Sequence, residues 1–448
     1  MDAFVIITKL KETAKIFFSD RCNNIAMAIL LQRFGLKESL GYYKIMKILA
    51  VETSCDDTCI AVAKGGRNFL NFEILSSIVS SQVKIHRKFG GVYPSLARRE
   101  HEKNLPLVLK ESLKKADLLV RKKNTIEKKE LVLYEKIFAK EQHLLKRFLN
   151  FIGQYKKPKI HLLAVTVGPG LEPCLWSGVN FAKALSLWLD AKIVPVNHIE
   201  AHIFSNFLSL EVRKLAVKQK DALFPAIALI VSGGHTQLIL VKELGKYKIL
   251  GQTRDDAAGE AFDKIARILG LPYPGGPAIE KISKYRNIEM SKCRNVEMSK
   301  CRVSFPRPMI FSKDYDFSFS GLKTAVLYNY QKRPKKIRES KEYITLMARE
   351  AQEAIVEVLV KKTIRAAKEF KAKSIILGGG VSANERLKSL FKEKISKMVN
   401  GPLLLFPEKH LATDNAQMVA LCGYFYWLKS DKIKNWKNIK ACADLKIA

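Results

Sequence analysis

No C-x-x-C pair occurs in the 448 residues, and the nearest two of the eight cysteines are Cys55 and Cys59. Eight cysteines in so long a chain do not form a disulfide framework. Reduced thiols and a cytoplasmic setting are therefore the default expectation. No apolar run reaches bilayer length. The longest early one, "IAMAILL" at 25–31, is too short and lacks signal-peptide flanks. The Walker pattern G-x-x-x-x-G-K-[ST] is missing, and no G-x-G-x-x-G lies between a strand and a helix. P-loop and dinucleotide-binding folds are excluded on that ground. Carboxylates are scarce: 43 Asp and Glu face 78 Lys and Arg, a formal net charge of +35. Such a balance suits a polyanionic partner, most simply nucleic acid, or else reflects a lysine bias of the genome.

What is present argues for a large α/β protein. Hydrophobic residues make up 48% of the chain, enough for a core larger than one domain usually holds. "MKILAVETSCDDTCIAVA" (46–63) reads as strand, polar turn and strand, and as the natural beginning of the folded chain. Residues 1–45 carry no motif and read as a leader or a mis-assigned start. Further on, "HLLAVTVGPGL", "AIALIVSGGHTQLILV" and "SIILGGGVSANERLKSLF" alternate apolar strands with glycine turns and helices. The expected division is a first lobe over 46–200, a second over 201–425 and a tail over 426–448. Two stretches interrupt it. Residues 114–159 are rich in Lys and Glu, with Leu131, Tyr134, Phe138, Leu145 and Phe148 at helical spacing. They read as a basic helical insertion, either an extension of a nucleic-acid surface or a solvated helix pair. Residues 285–302 hold a tandem repeat, "YRNIEMSK" then "CRNVEMSK", which reads as an expanded surface loop.

Four glycine turns, "GPG" (168–170), "SGGH" (232–235), "YPGGP" (273–277) and "GGGVSAN" (378–384), suggest a nucleotide held between two lobes. Glycine lets backbone N–H groups approach a phosphate, although any strand needs a turn. Acids cluster at two places: Glu52, Asp56 and Asp57, then Asp255, Asp256, Glu260 and Asp263. Such acids hold a cation, accept ribose hydroxyls or cap helices. His198 and His202, in "VNHIEAHIF", are four apart and share a helix face, as ordinary helix residues or as metal ligands. A zinc peptidase places its Glu directly after the first His. Here Glu200 lies two residues from each His, about 200° around the helix from His198, so the peptidase base is in the wrong place. Asp414, in "FPEKHLATDNAQMVA", is a candidate third ligand or a helix cap. Two His and one carboxylate suit iron(II) or zinc.

Together the motifs "AVETSCDDT", "GGVYPSLARREH", "GPGL", "NHIEAH", "LIVSGGHTQL", "DDAAGEAFDK", "YPGGP", "FSFSGLKT", "GGGVSAN" and "TDNAQM" stand in the order found in tRNA N6-adenosine threonylcarbamoyltransferases, and the chain resembles the bacterial branch of that family from Met46 to Tyr426. The family was formerly labelled a glycoprotein endopeptidase, a reading the histidine geometry does not support. The resemblance implies an actin-like, sugar-kinase-like fold of two ribonuclease-H-like lobes with the ligand in the cleft. It implies transfer of threonylcarbamoyl from threonylcarbamoyl-AMP to N6 of adenosine 37 in tRNAs reading codons that begin with A. It implies metal ligands at His198, His202 and Asp414, with iron(II) ahead of zinc, and donor contacts from Ile230, Val231, Ser232, Gly233, Gly234, Asp263, Gly276 and Asn384. Implied partners are tRNA, a non-catalytic paralogue and a small ATPase, with no membrane. No residue is singled out as catalytic base. A small-molecule kinase, or a nucleotide-binding scaffold or chaperone-like ATPase of the same fold, remains the alternative; the paired histidines speak against the kinase.

Overall fold

The apolar run "MKILAVE" forms strand β1, Met46–Glu52, and β2, Asp57–Gly65, folds back against it with Glu52 opposite Cys59. The structure is a computed structural model and describes residues 45–284, 303–430 and 432–447. Expectations about residues 1–44 and the tandem repeat lie outside the described residues. Strand β3, Phe72–Ser81, completes an antiparallel meander. Beyond helix α1, Pro94–Lys115, come α2, Lys128–Ile137, and α3, Gln142–Gln154. Strand β4, Leu162–Gly168, then pairs parallel to β1. After α4, Glu172–Leu189, strand β5, Lys192–Asn197, pairs parallel to β4. The order is β3-β2-β1-β4-β5.

A short helix, α5, His198–Phe204, leads towards a second sheet. Its strands are β6, Ala226–Val231; β7, Thr236–Glu243; β8, Lys246–Gln252; β9, Ser374–Gly378; and β10, Leu403–Leu405. Between them lie α6, Ala258–Ile268, α7, Gly275–Ser283, α8, Lys341–Glu369, and α9, Glu385–Ser396; α10, Ala416–Leu428, follows. The order β10-β9-β6-β7-β8 repeats the plan of the first sheet. In each, a central first strand carries an antiparallel hairpin on one side and two parallel strands on the other. Strands β4, β6 and β9 are buried at every position, as parallel strands covered on both faces require. These are two ribonuclease-H-like halves, the α/β architecture expected.

Helices α5 and α10 lie in one core that takes residues from both sheets, among them Ile48 and Ala164 of the first and Ala228 and Ile239 of the second. The sequence "AQMVALCGYFYWL" is apolar all round, which suits a helix buried on every side. Gly423 lets α10 close on β4: a Cβ there would lie 2.5 Å from the Ala164 Cβ. The lobe boundaries expected at 200 and 425 fall inside α5 and α10, and α10 packs on the first sheet. Both helices are shared because each is covered from two sides.

The insertion is helical as its periodicity requires, and it is not a solvated pair. Tyr134, Phe138, Leu145 and Phe148 are buried. The Phe148 ring meets Tyr134 edge-on at 5.2 Å and Phe181 of α4 at 5.8 Å. A reciprocal cap between Glu127 and Glu130 starts α2. Among the described residues, no helix is long and apolar enough to cross a membrane.

Candidate functional site

Strand β5 ends at Asn197, whose Oδ1 accepts from the N–H groups of Ile199 (2.9 Å) and Glu200 (3.2 Å). This cap makes His198 the first residue of α5. One turn on, His202 stands on the same face, and the two rings meet edge-on at 4.6 Å. Asp414 comes from the loop before α10. The cap of α10 belongs to Asn415, whose Oδ1 accepts from Met418 N–H at 3.1 Å, so Asp414 is free of that duty. Its Oδ1 lies 3.6 Å from His198 Nε2 and 3.3 Å from His202 Nε2. One ligand atom from each of the three residues falls within 4.8 Å of the others.

Glu200 takes no part. It is buried on the other side of α5, where the Tyr426 hydroxyl donates to Oε1 and Lys432 Nζ lies 3.2 Å from Oε2. The sequence argument that Glu200 points away from the histidine face is borne out, with a structural ion pair as its occupation.

Glu52 does take part, as a partner of His198 rather than as the cation ligand, ribose acceptor or helix cap that the sequence allowed. It ends β1, and its Oε2 lies 3.1 Å from His198 Nδ1. Thr166 Oγ1 donates to Oε2 and Ser54 N–H to Oε1, each at 2.6 Å, so the carboxylate is fixed. With the Nδ1 proton pointing to Glu52, Nε2 is the nitrogen turned towards Asp414 and His202, and an ion bound there would displace its proton. The only signal in the sequence was the place of Glu52 at the exit of an apolar strand.

The electrostatics follow from burial. Burial pushes His198 down, but the Glu52 and Asp414 carboxylates outweigh it and hold the imidazole up at about 9. For those carboxylates burial acts upward, and His198 overrides it and keeps both below their usual value. Burial holds His202 down, hence neutral. Both its ring nitrogens are buried without a hydrogen-bond partner, although Nε2 is close to Asp414. A neutral imidazole with an unused lone pair is costly in a core and is what a divalent metal requires of a ligand. The donor set fits such an ion. His235, which follows the predicted donor turn, lies 6.2 Å from the His198 ring. Burial, and then the nearby His198 and His202, press it down to about 4.

Of the other predicted residues, Ile230 to Gly234 end or follow β6 and Asn384 follows β9, whereas Asp263 lies in α6 and Gly276 in the first turn of α7. Ile230 and Val231 have no exposed surface, backbone included, so the structure does not open either of these predicted contacts to a ligand. Ser232 closes the turn: its N–H donates to His235 O at 2.8 Å, and its Oγ accepts from His235 N–H at 3.1 Å. No atom stands within 4 Å of a Cβ built on Gly233, Gly234 or Gly276, so those three glycines border open space. At Gly379, φ is +84° and a Cβ would lie 2.4 Å from Val231 O, which demands glycine. A Cβ on Gly378 would lie 2.9 Å from His202 O, so this turn abuts the histidine helix. Asp263 Oδ1 accepts from Gly275 N–H at 2.6 Å. Burial raises Asp263 to about 6 against the pull of that bond. Asn384 caps α9 through Leu387 N–H (3.0 Å) and donates to Gln352 (3.0 Å), so its amide is engaged within the protein at both ends. Arg87 Nε donates to Tyr273 O at 3.0 Å, tying the first half to the "YPGGP" loop.

Two ribonuclease-H-like halves with a His–His–carboxylate cluster and glycine turns at the strand ends define an α/β protein of the actin-like, sugar-kinase-like class. A model of the family described as tRNA N6-adenosine threonylcarbamoyltransferase matches residues 73–126 and 142–421. A relative of that description from Thermosipho africanus is 41% identical over 402 residues, 90% of this chain and 100% of its own. Others from Persephonella marina (42% over 383 residues, 85% of this chain and 90% of its own) and Bacillus subtilis (38% over 383 residues, 85% and 90%) carry the same description. The chain belongs to the tRNA N6-adenosine threonylcarbamoyltransferase family.

Proposed function

We propose that this chain transfers the threonylcarbamoyl group of threonylcarbamoyl-AMP to N6 of adenosine 37 in tRNAs reading codons that begin with A. The observation that carries the reading is the buried His198–His202–Asp414 cluster, with His202 left without a hydrogen bond, beside the glycine turns. In the transfer, the N6 lone pair forms a bond to the carbamoyl carbon. The bond from that carbon to the AMP phosphate oxygen breaks, AMP leaves with the electron pair, and N6 gives up a proton. His198, His202 and Asp414 would hold one divalent ion, iron(II) ahead of zinc, which when bound supplies Lewis acidity towards the carbamoyl or threonine carboxylate oxygens.

The chain's own groups do the rest. Glu52 holds His198 in the tautomer that presents Nε2. Backbone N–H groups at Gly233, Gly234 and Gly276 are proposed to meet the AMP phosphate, where open space permits close approach. Asp263, with one oxygen on Gly275, accepts ribose hydroxyls through the other. Alignment of a weak amine nucleophile with a held acyl group supplies much of the acceleration. The +35 charge supports a tRNA partner. A non-catalytic paralogue, a small ATPase and a cytoplasmic site of action complete the proposal. A kinase of this architecture would have carboxylates and magnesium where this chain has paired histidines, so that alternative is not favoured. The test is metal analysis of the purified chain and of His202→Ala: about one iron or zinc per chain is expected in the parent and a large loss in the variant. Equal, trace metal in both would refute the metal role.

A further inference from the structure

Residues 114–159 carry fourteen Lys or Arg against five Asp or Glu. All fourteen cations are exposed. Among the described residues only Lys129 of the fourteen sits in an ion pair, with Glu127 at 2.8 Å. A stretch that merely needed solvation would gain by pairing its charges; this one leaves them open.

Part of the stretch is built with care. Residues 120–124 run antiparallel to the end of α3. Arg121 bridges to Tyr155, Lys122 N–H donates to Gln154 O (2.9 Å), Asn124 N–H to Gly153 O (2.9 Å), and Lys156 N–H to Val120 O (2.8 Å). The Asn124 side chain adds bonds to Ile152 O (2.9 Å) and Tyr155 O (2.7 Å). Alternate side chains of an extended segment share a face. Arg121 and Lys123 therefore point one way and Lys122 the other. The first two line a surface cleft of about 440 Å³ with Asn124, Asn150 and Gln154, and no carboxylate lines it. Lys114 and Lys115 precede the cleft in the chain, and Lys156, Lys157 and Lys159 follow it.

We propose that this cleft is a docking point for the phosphodiester backbone of the RNA substrate. Arg121 and Lys123 would meet phosphate oxygens, and the amides sugar hydroxyls. Two cations on one extended segment, with further exposed lysines nearby in the sequence, suit a chain of phosphates better than a single phosphate. Residues 127–141, which include α2, fall outside the family match, whereas the residues that line the cleft fall within it. The inference rests on the transferase reading, which makes the substrate an RNA.

Binding of an unmodified tRNA transcript to the full chain across salt tests it. R121A/K123A is expected to lose about five- to tenfold in affinity near 0.1 M salt, with a salt slope shallower by about one to two. K122A is expected to bind as the parent does. Metal content and melting of all three should match, which sets aside misfolding. Parent-like affinity and slope in R121A/K123A would overturn the cleft, as would an equal loss in K122A, which would mean diffuse charge. A parent that binds no tRNA would instead bring down the transferase reading itself.

Discussion

At the scale of single residues, the histidine pair was visible in the sequence because four-residue spacing on a helix is a simple geometric statement. The exclusion of Glu200 was visible for the same reason. Whether Asp414 was a cap or a ligand was not, since only the folded chain shows Asn415 taking the cap. Glu52 was hidden for a different reason: it reaches His198 across 146 residues, and no local pattern records such a contact. It should matter for the metal. Glu52→Gln removes the charge that fixes His198, and metal affinity measured by competition with a chelator should fall about 10- to 100-fold, with the fold intact. Asp263 gives a pH signature. Its folded value, about 6, lies above the usual carboxylate value of 3.8, so ionising it opposes folding. That cost, about 3 kcal/mol, grows as pH rises from about 4 to about 6 and is absent in Asp263→Asn. The ionised form is the better acceptor for ribose hydroxyls. KM for the donor should therefore rise as pH falls through about 6, and the rise should vanish in Asp263→Asn. A parent profile flat across that range would contradict the role.

At the scale of elements, the strands were legible because β1, β4, β6 and β9 are short apolar runs ending in turns, and the glycine turns marked their exits. The sharing of α5 and α10 between the halves was not legible, because an apolar helix does not say which of two sheets covers it. The same holds for the insertion: periodicity gave α2 and α3, but their anchoring on α4 through Phe148 and Phe181 is a tertiary fact. If the insertion is part of the core, Phe148→Ala should cost about 3–5 kcal/mol, read as a lower midpoint in reversible denaturation. A change below about 0.5 kcal/mol would mean a loosely attached appendage.

At the scale of the molecule, two copies of one topology, 3-2-1-4-5, face each other through shared helices and bring strand ends from both halves to one place. That arrangement sets the glycine turns proposed for the nucleotide next to the histidines proposed for the metal: a Cβ on Gly378 would lie 2.9 Å from His202 O. We propose that this assembly joins donor, metal and tRNA in one transfer. This is tested most directly by nucleoside mass spectrometry of tRNA from cells depleted of their own transferase and supplied with this chain or with its His202→Ala variant. Threonylcarbamoyl-adenosine should return with the parent and stay absent with the variant. Its absence with an expressed, folded parent, or its return with both, would contradict the account.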